Sequence, residues 1–209
     1  MFPLVVRPGG RTARLFPLRG EGLWSPATRS GGPRAPLPEL CRVAAVVHFF
    51  ASLFSSFMYQ TLLLLHSWSR WFVLIFGLIA VYRAYVGWSG RRAFVGADNG
   101  TSAAFSGFIW LQVLIGFGLY FGLSPWGLNA MKQAGAMKDP TKRFFGLEHV
   151  AIMILAAIVA QVGRIVVKKT ADASRKHKKA FLYFGVALVL VLIMIPWGLW
   201  NPYRPLFRF

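Results

Sequence analysis

Four apolar runs, each long enough to cross a bilayer, constrain this 209-residue chain more than any other feature. They cover roughly residues 59–88, 103–123, 144–167 and 180–200. About 20 helical residues span a hydrocarbon core of ~30 Å. The runs are apolar on every face, which suits a helix solvated by lipid rather than by water. The expected fold is therefore all-α, an integral membrane four-helix bundle of up-down topology. Composition agrees. Hydrophobic residues make up 56 % and charged residues 14 %, where soluble domains carry about 25 % charged residues.

Local punctuation supports these boundaries. Asp98-Asn99-Gly100-Thr101 reads as a turn before the second run. Asp139-Pro140 places a capping residue before a proline at the first helical position. Ser124-Pro125 and Pro196 stop the second and fourth runs. Trp68, Trp71, Trp88, Trp126, Trp197, Trp200 and Tyr203 fall near run ends, where interfacial aromatics concentrate.

Residues 1–57 differ from the rest. They hold seven arginines, no lysine and seven of the twelve prolines, with no apolar period over the first forty positions. Such a segment buries no core and is expected to be disordered. It reads as a basic targeting segment, as a flexible tail, or as a start assigned too far upstream, the last being favoured. Met58 would then open a four-span bundle of residues 58–209. Val43–Leu65 complicates the picture, because it is an additional apolar helix long enough to span. Only His66–Arg70 separates it from the run at Trp71, a tight reversal.

The formal charge of +18 suggests nucleic acid when taken alone. Its position gives a simpler account, with no nucleic-acid partner. Arg83, Arg91, Arg92, Arg164, Lys168, Lys169, Arg175, Lys176, Lys178 and Lys179 flank or occupy the first and third connections. The opposite side carries Lys132, Lys138, Lys142, Arg143, Arg204 and Arg208, with Arg70 near it. The positive-inside rule puts the first and third connections in the cytoplasm of a bacterial inner membrane.

Ionisable groups inside a membrane are costly, so they mark candidate sites. The first span offers His66 and Arg70, the third Glu148 and His149. These spans are parallel, and the two histidines lie at similar depth, seven residues after Tyr59 and five after Phe144. Two imidazoles that meet in a bundle core suit bis-histidine ligation of a b haem iron. The plainer reading is two interfacial histidines bonded to water, headgroups or each other. Arg70 shares a helix face with His66. It neutralises a haem propionate, pairs with Glu148, or snorkels to the interface. Glu148 accepts a hydrogen bond behind a ligating residue, carries a proton or, most commonly for such a group, is half of an ion pair.

Other features read as structural. His177 lies in a solvated, headgroup-facing basic loop, Arg175–Lys179. His48 receives no role. Gln112 bonds a neighbouring helix rather than a cofactor. Ser106, Gly107, Gly116, Gly118 and Gly122 give a weak close-contact signal. Leu128–Met137 is mildly amphipathic, with Met131 and Met137 as surface anchors. The single cysteine, Cys41, supports no disulfide framework or Cys-based metal site. Glu148 is the one acid within a span, and no Gly-rich phosphate motif precedes a helix, so hydrolase and nucleotide chemistry are set aside.

Residues 58–209 resemble a group of small four-span membrane proteins of the Bacteroidetes labelled cytochrome b or cytochrome b-like. The matching stretches are LHSWSRW (Leu65–Trp71), RFFGLEH (Arg143–His149) and KHKK (Lys176–Lys179). The resemblance implies a b haem and electron transfer, with no catalytic motif, and so a carrier or subunit rather than a stand-alone enzyme. It departs from two-haem transmembrane cytochromes, which need two histidine pairs where this chain has one. A single haem near the outer face would exchange electrons with a quinol or a periplasmic redox protein. The alternative is a cofactor-free structural or assembly subunit of a larger membrane complex, with membrane lipid as its constant partner. A small transporter using Glu148 and Arg70 is a weaker third reading.

Overall fold

The computed structural model describes residues 39–197, with the side chains of Leu40 and Leu123 outside the description. Residues 1–38 and 198–209 lie outside it, including Trp200, Tyr203, Arg204 and Arg208. Six α-helices make up most of the described chain: α1 Glu39–Ser89, α2 Gly96–Gly118, α3 Leu128–Met131, α4 Pro140–Arg143, α5 His149–Lys169 and α6 Ala173–Met194. π-helical turns, Leu119–Leu123 and Phe144–Glu148, extend α2 and introduce α5. Four helices are long and apolar enough to cross a membrane. They pack as a closed ring in which α1 touches α2 and α6, and α5 touches the same two neighbours. The protein is an all-α, up-down four-helix bundle, and α1 and α5 are its parallel diagonal pair.

The first helix differs from expectation. It runs unbroken from Glu39 through His66–Arg70 to Ser89, so no reversal occurs at that point. No glycine or proline falls between Pro38 and Gly77, and nothing interrupts the ladder. Residues 39–57, part of the stretch expected to lack structure, are therefore helical. Their apolar side chains, Phe49, Phe50, Phe54 and Phe57 among them, are exposed. Packing begins further along, at Leu63, Val73, Leu74, Ala80 and Ala84.

α1 ends in a tight turn where Arg91 takes the left-handed region, φ 45°. Its backbone N–H and that of Arg92 return to Trp88 and Gly87 carbonyls. Asp98 lies in the first turn of α2 rather than in a turn before it. Its buried carboxylate accepts from Arg83 at 2.9 Å, Arg92 at 2.7 Å and the Val95 N–H at 2.9 Å. One acid thus ties α1, the connection and α2 together. Asp139 caps α4 as expected, accepting from the Thr141 and Lys142 N–H groups beside Pro140.

The core is made of small residues against large ones. Ala156, Ala157 and Ala160 on α5 are fully buried, and Gly163 lets α6 approach closely, since a methyl there would overlap Tyr183. Phe105 and Phe184, both fully buried, meet edge-on at 5.9 Å. Buried polar groups join helices, with the Ser106 hydroxyl donating to Gln161 at 3.1 Å.

The basic run Arg175–Lys179 is not a loop. Asp172 accepts the Arg175 N–H at 2.8 Å and caps α6, so the run forms its first turns. His177 consequently points inward and is fully buried. Its ring occupies the space left by Gly87, where any side chain would overlap it, and lies 5.0 Å from the Phe94 ring. Among the described residues its Nδ1 has no hydrogen-bond partner.

Candidate cofactor site

At the end of the bundle opposite the basic one, a cavity opens between α1, α2, α5 and α6. His66, Arg70, Gln112, Tyr120, Trp126 and His149 line it, with apolar walls from Leu63, Val73, Val113, Met153, Val191 and Ile195. The ring centroids of His66 and His149 lie 6.4 Å apart, with planes at 63°. About 20 residues of α5 separate His149 from Lys169, which puts the pair roughly 30 Å from the basic end. His66 and His149, placed at similar depth by their spacing, do meet across the diagonal.

Local structure holds each ring. His149 follows directly on the π-turn Phe144–Glu148, a feature often found at functional sites. The Tyr120 hydroxyl donates to the Gly146 carbonyl at 3.0 Å, tying that turn to the end of α2. A Cβ at Gly146 would overlap Met131, so Met131 packs onto this turn instead of anchoring in lipid. The Nδ1 of His149 sits 3.0 Å from the Met194 carbonyl of α6. Donation from an Nδ1–H to that carbonyl would fix the orientation of the ring. On the other ring, Gly116 gives His66 room, since a Cβ there would lie 3.3 Å from Cε1. Gln112 donates to the His66 carbonyl at 2.8 Å and meets the Ser69 hydroxyl in a very short contact. It bonds the neighbouring helix, as expected.

Arg70 lines the cavity, with its guanidinium 5.6 Å from the Trp71 ring centroid. Glu148 pairs with Arg143 at 2.7 Å, not with Arg70. That ion pair is half exposed and outside the cavity lining. Tyr120, Gln161 and the carbonyl of Met194 had no signal in the sequence beyond their residue types. Gly107 and Gly122 meet nothing within 4 Å, whereas Gly116 and Gly118 face His66 and Leu62.

Metal–imidazole bonds run about 2.0–2.1 Å, so two imidazoles on opposite sides of one metal have centroids about 6–6.5 Å apart. The observed separation falls in that range, and also in the ~4.5–7 Å range of rings packed directly edge to face. Among the described residues no group of three His, Cys, Asp or Glu side chains forms. The cavity measures about 150 Å³, the size that admits a benzene. The donor set suits a haem, and the space admits a whole porphyrin only if the helices part. Compared with protein-family models, curated proteins and solved structures, the chain matches none.

Proposed function

We propose that this membrane protein is a single-haem b-type cytochrome, whose haem iron would be held by His66 and His149 with Arg70 to offset a propionate. One observation carries the reading: the 6.4 Å separation of two imidazoles from parallel helices inside an apolar cavity. The resemblance of residues 58–209 points the same way. When bound, the haem would supply one-electron transfer. The chain's own residues do the rest. Met194 orients His149 through Nδ1, Gln112 and Gly116 seat His66, and the apolar walls would keep water from the bound group. Arg70 offsets propionate charge at the interface.

The positive-inside rule puts the basic end in the cytoplasm of a bacterial inner membrane and the histidine pair near the outer face. A quinol or a periplasmic redox protein is then the electron partner, and the chain acts as a carrier or as a subunit of a larger complex. A second reading is a cofactor-free structural or assembly subunit. It is favoured by the cavity's small volume and by the edge-on angle, which also suits direct ring packing. The full chain, expressed with ample haem and purified in detergent, tests the choice by its reduced-minus-oxidised spectrum. A sharp low-spin α band supports the cytochrome; its absence removes it.

A further inference from the structure

The basic end of the bundle carries a cleft of its own, about 320 Å³, where α2 begins beside the end of α5 and the start of α6. Lys168 from α5 and Lys176 from α6 line it together with Asn99, over an apolar floor of Phe94, Val95 and Val167. The Lys176 ammonium sits over the Phe94 ring, 5.4 Å from its centroid, a cation–π contact that holds its charge inside the cleft. Among the described residues neither lysine belongs to an ion pair. The nearby acids are already engaged. Asp98 is 3 % exposed and held by Arg83 and Arg92, and Asp172 caps α6. A Cβ at Gly96 would meet nothing within 4 Å, which leaves the cleft open on that side.

Two ammonium groups from different helices, set over an apolar surface at a membrane interface, ask for an amphiphilic anion. We propose that this cleft binds the phosphate of an anionic phospholipid, with Lys168 and Lys176 on the phosphate and the floor against the glycerol and first acyl carbons. Free phosphate would satisfy the lysines but leave the exposed Val95 side chain uncovered. The site lies at the far end from the histidine pair and does not depend on haem.

The test uses the full chain in a neutral detergent, titrated with short-chain phosphatidylglycerol, short-chain phosphatidylcholine or inorganic phosphate, and read by thermal shift. Phosphatidylglycerol should bind at least tenfold more tightly than phosphatidylcholine. K168Q/K176Q should weaken it roughly 10- to 30-fold, since each basic group near an anionic surface contributes about fivefold. K169Q/R175Q removes the same charge nearby and should change it less than threefold. K168R/K176R keeps the charge and should retain most binding, separating loss of the site from loss of folding. The proposal is overturned if the two glutamine pairs weaken binding equally, if both lipids bind alike, or if inorganic phosphate competes at equal concentration.

Discussion

The imidazoles of His66 and His149 lie 6.4 Å apart, on helices that are diagonal in the bundle. Diagonal helices in an up-down ring run parallel, so residues at equal depth on both are neighbours across the core. Their contact follows from topology and needs no direct packing between α1 and α5.

The buried His177 ring depends on the missing side chain of Gly87. Gly87→Ala forces the imidazole or the helices to move, and should cost about 1–3 kcal/mol. Gly107→Ala meets no neighbour and should be neutral or stabilising by roughly 0.5–1 kcal/mol through helix propensity. Thermal unfolding of the two variants in one detergent compares them, and equal melting temperatures would contradict the packing described.

Gln112 joins α2 to α1 through Ser69 and the His66 carbonyl. Interhelical hydrogen bonds in membranes average about 0.6 kcal/mol, with a maximum near ~1.7 kcal/mol. A double-mutant cycle of Gln112→Ala with Ser69→Ala should return a coupling within that range. Strict additivity would mean that the contact contributes nothing.

Asp98 is the buried hub of the turn between α1 and α2. Asp98→Asn strands Arg83 and Arg92, which are 30 % and 35 % exposed and so partly rehydrated. The expected loss is about 1–3 kcal/mol, below the value for a fully buried pair. Arg92→Gln should lose less, because Arg83 remains on the carboxylate. Unfolding midpoints in the order wild type, Arg92→Gln, Asp98→Asn check this.

Much of this architecture was legible from residue types in order. The four apolar runs, Pro140 behind its Asp139 cap, and the matched depth of His66 and His149 all depend on local spacing. What escaped depends on contacts between distant segments. Arg175–Lys179 looks like a solvated loop because its charge is plain and its partner, the bare backbone at Gly87, lies on another helix. Asp98 looks like a turn residue because the two arginines that let it be buried are spread over α1 and the connection. Arg143, five residues before Glu148 on the same stretch, takes its carboxylate, whereas Arg70 sits a turn beyond His66 on another helix. The continuity of α1 through His66–Arg70 was hidden by polar residues that a helix accommodates readily.

On the proposed reading, His66 and His149 would together hold one haem iron. The most direct measurement is the haem-to-protein ratio by pyridine haemochrome, on the full chain and on His66→Ala and His149→Ala, each shown to fold by circular dichroism. The account predicts about one b haem per chain and at least a tenfold loss in each variant. A haem-free wild type, or variants that keep the wild-type ratio, would contradict it.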